Sequence, residues 1–155
     1  MITLYTDGAS RGKPGPGGYG VVLKFKQHRK ELSAGFRKTT NNRMELLAVI
    51  VGLEALKNPK SNVMVYSDSK YVVDAVEKGW IWGWVKKSFA KVKNPDLWKR
   101  FLVIYKQHNV KFTWVKGHAG IPENERCDEL AVDAAESANL PADTGYEASI
   151  EEGMF

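Results

Sequence analysis

The chain has one cysteine, Cys127, among 155 residues. That excludes an internal disulfide and suits a reducing compartment, so a cytoplasmic setting is expected. No apolar run approaches the roughly 20 residues a membrane span needs, and no membrane association is expected. The N-terminal residues lack a basic stretch followed by a long apolar one, so no secretory signal is expected. There is no internal repeat, no low-complexity segment and no sign of a second domain. Acids are scarce in the front of the chain. Residues 1–69 hold 11 Lys/Arg against 5 Asp/Glu, a net +6, and residues 70–100 hold 8 against 3, a net +5. Residues 101–155 reverse this with 4 against 10, a net −6, leaving +5 for the whole. A basic front attracts polyanions, nucleic acid first among them, while a surface tuned for solubility is the plainer reading.

What is present suits an ordinary globular protein: 43% hydrophobic and 26% charged residues, in a chain long enough for one domain with a real core. Residues 2–6 (ITLYT) alternate as a strand, with Asp7 at its end. A loop carrying glycines 8, 12, 15, 17 and 18 follows. A strand-end carboxylate facing such a loop suits a cation or a phosphate-bearing ligand. Asp7-Gly8 also reads as a simple turn pair. Residues 19–26 and 31–37 read as a hairpin that continues into a meander with the first strand.

Thr39-Thr40-Asn41-Asn42 is a dense helix-start signal, and Asn58-Pro59 ends the helix that follows. Met44, Leu47, Ala48, Val51 and Ala55 recur at helical spacing as its buried stripe. Residues 62–66 (NVMVY) read as a buried strand, residues 70–78 as a helix, and strand–helix–strand order implies a parallel crossover. Gly79 breaks that helix. A basic, aromatic stretch then leads to a helix from about residue 94 to 108 and a last strand at 110–115. Pro122 opens a helix to about residue 138. Residues 1–138 are thus expected to form the functional domain. Residues 139–155, with four acids and no base, are expected to be loosely held.

Four acids are expected to converge: Asp7, Glu45, Asp68 and Asp128. Each has a plainer reading. Glu45 could complete a capping box with Asn42, Asp68 could cap a helix, and Asp128 could be one solvated acid on a polar helix face. In an open α/β sheet, however, ligands bind beyond the strand ends where strand order reverses, which is where Asp7 and Asp68 would lie. Two carboxylates about 4 Å apart repel by roughly 4 kcal/mol at an effective dielectric of 20, so such a cluster calls for cations. Oxygen ligands without His or Cys select Mg²⁺ or Mn²⁺, and two such ions suit in-line phosphodiester displacement.

The blocks TDGASRGKPGPGGYG, TTNNRMEL, YSDSKYV, NPDLW, WVKGHAGIPENERCDELA and DTGY, in this order, closely resemble bacterial ribonuclease H of type 1 from about residue 2 to residue 146. The resemblance implies a five-stranded mixed β-sheet flanked by α-helices. It also implies endonucleolytic hydrolysis of the RNA strand of RNA–DNA hybrids, leaving 5′-phosphate and 3′-hydroxyl ends, in removal of replication primers and R-loops. The family's metal-binding acids fall on Asp7, Glu45, Asp68 and Asp128. Two Mg²⁺ ions are expected with substrate bound, with Mn²⁺ as a substitute. The family's catalytic histidine falls on His118, and Glu125 matches an acid near the second metal. Substrate contacts carry over to Asn41 and the backbone around Ser10, Gly12 and Lys13, facing RNA 2′-hydroxyls. Lys38, Thr40 and Asn94 would hold a DNA phosphate, and Tyr71, Trp80 and Trp84 would pack on DNA sugars. Trp82 and Trp98 are expected in the core.

The chain departs from the family pattern at Lys13, where Asn is common, and at Lys70, where Gln or Met is usual; both are expected among the substrate contacts, adding charge near the scissile strand that could alter sequence tolerance or metal preference. The basic stretch between Trp84 and Trp98 is a few residues short but keeps Lys86, Lys87, Lys91 and Lys93, so weaker hybrid binding is expected. A monomer is expected. A non-catalytic hybrid-binding module would have broken acids, and a DNA nuclease of the wider superfamily would need extra domains.

Overall fold

The computed structural model describes residues 1–117 and 119–153. His118 lies outside the described residues. In chain order the elements are β1 (Ile2–Ser10), β2 (Gly15–Phe25), β3 (His28–Thr39), α1 (Asn41–Glu54), β4 (Asn62–Ser67) and α2 (Lys70–Glu77). They continue with α3 (Trp80–Lys86), α4 (Pro95–Tyr105), β5 (Asn109–Trp114), α5 (Pro122–Ala135) and α6 (Thr144–Gly153). The strands form one five-stranded mixed sheet in the order β3-β2-β1-β4-β5. β1 runs antiparallel to β2 on one side and parallel to β4 on the other, so strand order reverses at β1. The expected mixed sheet flanked by helices is the observed fold.

Helices cover both faces unequally. On one face α1 lies across β1, with Gly52 directly over Leu4. Leu4, Val21, Leu23, Met44, Leu46, Ile50, Trp98 and Phe101 fill this main core. Almost every residue of α1 from Arg43 to Leu53 is buried, not the single stripe that periodicity suggested. The sheet lies beneath the helix and α4 packs against its other side, so between its exposed ends only Val51 is not fully buried. Thr40 caps α1, its hydroxyl accepting from the Arg43 amide at 3.2 Å.

On the other face α5 sits close to the sheet. A Cβ on Gly20 would lie 2.1 Å from the Cys127 carbonyl oxygen, and one on Gly18 2.6 Å from that of Ala131. Glycines below and Cys127, Ala131 and Ala135 above permit this approach. The expected glycine loop is therefore mostly strand: Gly8, Gly15, Gly17 and Gly18 all lie within β1 or β2. Their role is to leave room, at Gly8 for the backbone of Met44 and Glu45, at Gly15 for the Arg11 carbonyl, at Gly17 for Thr39 and the Ala9 carbonyl, and at Gly18 for α5.

The C-terminal residues differ from the loose tail expected. α6 packs near β3, and Asp143 just before it is buried. The Arg37 amide donates to the Pro141 carbonyl at 2.8 Å, and the Arg37 side chain pairs with Glu147. Basic residues of the front of the chain thus hold the acidic end, a pairing that local composition does not reveal.

Candidate metal centre and nucleic-acid interface

The parallel register of β1 and β4 pairs Leu4 with Val65 and Tyr5 with Tyr66. Two residues further along, Asp7 and Asp68 therefore come level on neighbouring strands. Asp7 is not the end of a strand or a turn. β1 continues through it to Ser10, because Asp7 pairs with Gly20 and Ser10 with Gly17. Asp68 does not cap α2 either, since the Ser69 hydroxyl accepts from the Val72 amide in that role. Glu45 does not belong to a capping box: Thr40 is the cap and Arg43 stands at the third helical position.

The first turn of α1 brings Glu45 to the same place. Carboxylate oxygens of Asp7, Glu45 and Asp68 all lie within 4.8 Å of one another. Asp7 and Glu45 are buried and Asp68 is half-buried. α5 contributes Asp128, which stands across a small cavity from Asp7 and Asp68, with Asn124 and Glu125 on the same wall. The sequence placed Asp128 at the border of the α5 stripe, next to Cys127, and it is half-buried there.

Electrostatics mark the cluster as incomplete by itself. Burial pushes the Asp7 carboxyl up to about 7. A hydrogen bond with Glu45 and the Gly8 amide oppose the shift, while the charges of Asp68 and Asp128 add to it. Glu45 is held well above the carboxylate range, by burial first and by the charge of Asp7 next. One Glu45 oxygen, Oε2, is buried without a hydrogen-bond partner, as is Oδ1 of Asn124. Leaving buried acceptors unsatisfied is costly, and an all-oxygen donor set of this kind fits a hard divalent cation. The residues present therefore suit a divalent ion.

The loop after β5 braces Asp68. The Trp114 indole Nε1 donates to the Asp68 carbonyl at 3.0 Å, and the Val115 amide donates to Ser67 at 2.9 Å. A Cβ on Gly117 would stand 3.1 Å from Asp68 Oδ2, so the chain passes close to the carboxylate there.

A family model described as RNase H matches residues 1–136. The chain belongs to the ribonuclease H family. It is 66% identical to the ribonuclease H of Desulforamulus reducens over 147 residues, which cover 92% of each chain. Its fold matches a solved type 1 ribonuclease H that carries the type 2 active-site motif, at a TM-score of 0.79 and 30% identity. That match covers 96% of this chain and 80% of the other. A related ribonuclease H crystallised with an RNA/DNA hybrid matches at a TM-score of 0.64 and 30% identity, covering 88% of this chain and 97% of that one. As a member of the ribonuclease H family, the protein is a nuclease and thus a hydrolase.

Around the ribonuclease H site, the expected substrate residues fall into three groups. Lys13, Lys38, Asn41 and Lys70 are exposed, as is Gly12, whose carbonyl accepts from the half-buried Ser10 hydroxyl at 3.0 Å. Asn94 and Tyr71 are half-buried and clamped. Asn94 Nδ2 and Trp98 Nε1 each donate to the Tyr71 hydroxyl at 2.9 Å, and Arg43 donates to Asn94 Oδ1 at 3.3 Å. Thr40 spends its hydroxyl on the α1 cap. The tryptophans divide differently from the expectation. Trp98 is fully buried as expected, whereas Trp82 is 43% exposed, at the edge of Tyr105 rather than in the core. Trp80 is exposed, and Trp84 is half-buried with its ring 5.2 Å from that of Trp98.

Between α3 and α4, Phe89 and Val92 pack on the core, and Phe89 donates its amide to the Trp84 carbonyl at 2.8 Å. Lys86, Lys87, Lys91 and Lys93 stay exposed on this anchored turn.

No motif assigned a role to Arg43, which is 2% exposed. It donates to Asp143 from Nε at 2.8 Å and to Asp96 from Nη2 at 2.7 Å. Burial opposes its charge, and Asp96 and Asp143 outweigh that and keep it protonated. One signal was available. A cation in the first turn of a helix opposes the helix dipole, so Arg43 needed an acidic partner from elsewhere.

Proposed function

We propose that the chain cleaves the RNA strand of RNA–DNA hybrids within the strand, leaving 5′-phosphate and 3′-hydroxyl ends. The observation that carries this is the group of Asp7, Glu45 and Asp68, with oxygens within 4.8 Å of one another, from which Asp7 and Asp68 face Asp128 across one cavity. In this reading Asp7, Glu45 and Asp68 would hold one Mg²⁺ ion, and Asp7 and Asp128 would hold a second, with Glu125 nearby. Such ions supply charge neutralisation at the phosphodiester and an activated water when bound, with Mn²⁺ as a substitute.

The chain's own residues do the rest. The Gly8 amide, donating to Asp7 Oδ1 at 2.9 Å, and the buried start of α1 hold two carboxylates in place before any ligand arrives. Placing them beforehand spares the reaction that reorganisation. Asn41 and the backbone at Ser10, Gly12 and Lys13 face the RNA strand, where 2′-hydroxyls distinguish RNA from DNA. Lys38, Thr40 and Asn94 take a DNA phosphate, and Tyr71, Trp80 and Trp84 lie along DNA sugars. His118 moves protons near neutral pH or helps product leave. We assign the enzyme to primer and R-loop removal, as a cytoplasmic monomer. The buried, reduced Cys127 is consistent with that compartment.

The test is cleavage of a labelled hybrid with Mg²⁺ by the parental chain and by Asp7→Asn, with duplex DNA and duplex RNA as controls. The expected result is RNA cleavage in the hybrid alone, reduced at least about a hundredfold in Asp7→Asn with hybrid binding retained. An equally active Asp7→Asn chain overturns the metal assignment. Cleavage of duplex DNA points to a DNA nuclease, and binding without cleavage to a non-catalytic module.

A further inference from the structure

We infer that Lys70 and Trp114 form one built phosphate contact at the rim of the acidic cavity, which holds a backbone phosphate of the bound strand and steadies Asp68 at the same time. The inference rests on the hybrid-cleavage reading above and adds a named contact to it.

Lys70 opens α2, two residues after Asp68. A lysine ammonium on a surface helix normally samples many rotamers. Here its Nζ stands 4.8 Å from the centre of the Trp114 ring, within cation–π range. Its partner is a ring rather than a carboxylate, so its positive charge stays available to an anion. Trp114 is itself fixed. It ends β5, and its indole N–H is committed to the Asp68 carbonyl at 3.0 Å. The ring nevertheless remains 43% exposed, which leaves the ammonium on its face open to solvent and to an anion. One edge of the indole thus braces the backbone of a cavity acid, and one face positions an ammonium beside it.

The chemistry that fits is a phosphate diester oxygen next to the one held at the acids. A strand lying with one phosphate at Asp7 and Asp68 carries further phosphates past this rim. A pre-placed cation there meets one of them without first being ordered. The two halves of the indole have separable duties: the face acts on strand affinity through Lys70, and the N–H acts on the acids through Asp68.

The experiment measures hybrid affinity against salt in EDTA, where hydrolysis is arrested, for the parental chain, Lys70→Gln, Trp114→Phe, Trp114→Leu and Lys70→Gln/Trp114→Leu. Calorimetric Mn²⁺ binding to each free protein accompanies it. Each phosphate neutralised contributes about one to the slope of log affinity against log salt. Lys70→Gln is expected to reduce the slope by about one and affinity roughly fivefold at low salt. Trp114→Leu is expected to do the same, with no further loss in the double variant. Trp114→Phe keeps a ring and loses the N–H, so it is expected to keep the parental slope while weakening Mn²⁺ about threefold. An unchanged slope in Lys70→Gln, or additive losses in the double variant, overturns the inference. A parental chain that does not prefer hybrid over duplex DNA instead overturns the reading beneath it.

Discussion

Arg43 grips both carboxylate oxygens of Asp143, from Nε at 2.8 Å and from Nη2 at 3.0 Å, joining residues 100 apart in sequence. Asp143 also accepts from the Thr39 hydroxyl at 2.7 Å. Arg43 stands two residues before Glu45, so the C-terminal segment secures the turn that carries one acid of the Asp7, Glu45 and Asp68 cluster.

Removing Asp143 should therefore be costly. In Asp143→Ala the buried guanidinium keeps Asp96 and loses its other partner, and Thr39 loses its acceptor. Breaking a buried pair typically costs about 3–5 kcal/mol. The retained Asp96 pair, whose carboxylate is 43% exposed, places the expected loss near the lower end, on the order of 3 kcal/mol. Urea unfolding of the two proteins at pH 7 measures it. A loss below about 1 kcal/mol would show that the segment merely rests on the domain.

Gly20 faces a different constraint. A methyl group there would meet the Cys127 carbonyl at 2.1 Å, and backbone atoms of a packed helix cannot rotate away as a side chain does. Gly20→Ala should force α5 off the sheet at a cost of about 3 kcal/mol, the upper part of the overpacking range. Because Asp128 follows Cys127, hybrid cleavage should fall even at temperatures where the variant stays folded. A thermal melt and an assay on the same sample separate the two effects.

The metal-free protein should have an unusual pH profile. The folded-state value of Asp7, about 7, lies above the ordinary 3.8. The folded chain thus binds more protons than the unfolded chain across that interval, and stability falls as pH rises through it. Glu31 acts in the opposite direction. Hydrogen bonds from Arg126 first and Arg29 next hold it down to about 2, so its stabilising contribution is present above about 4.5 and is lost as pH falls toward 2. The metal-free Tm should peak between these limbs, near pH 4 to 5, and decline toward pH 8. Asp7→Asn should remove the Asp7 share of that decline, leaving the share that burial of Glu45 contributes, and be more stable than the parental chain at pH 8, by on the order of 2–4 kcal/mol for a shift of this size. Saturating Mg²⁺ should flatten the same limb in the parental protein. Scanning calorimetry from pH 4 to 8 tests all three, and a parental Tm that rises steadily to pH 8 in EDTA would refute the account.

The four lysines of the turn between α3 and α4 should act on affinity and not on fold. Lys86, Lys87, Lys91 and Lys93 are exposed, while Phe89 and Val92 anchor the turn. Changing all four to Ala should reduce the salt slope of hybrid binding by up to about 3 to 4 and leave Tm within about 2 °C. An unchanged slope would mean that the hybrid does not touch this turn.

Much of this architecture was legible in the residues, and the failures share a cause. The Thr40 helix start, the β4 strand with Asp68 just past it, and the Pro122 start of α5 depend on neighbours in sequence and read correctly. Asp7-Gly8 looked like a turn because its extended pairing is fixed by Gly17 and Gly20 in another strand. Gly18 looked like a loop residue because the helix it accommodates, at Ala131, arrives about 110 residues later. Trp82 and Trp98 have the same composition and opposite fates, decided by which side of a helix meets Phe101. Arg43 and Asp143 are each unremarkable until the fold brings them together. For the site, Asp7, Glu45 and Asp68 could be chosen as acids near expected strand ends or a helix start and Asp128 from the border of the last helix's stripe, but the run of β1 past Asp7 and the bracing of Asp68 by Trp114 required the packed structure.

The order in which the chain supplies its parts has a consequence for its synthesis. Asp7, Glu45 and Asp68 lie in the first half of the chain, whereas Asp128 and the Asp143 that grips Arg43 are made near the end. Chains emerge from the ribosome N-terminus first. A partly synthesised chain therefore carries its basic front without the fourth acid and without the contact that locks the turn bearing Glu45. Such a chain can meet nucleic acid while Asp7, Glu45 and Asp68 still await Asp128 and the contact from Asp143.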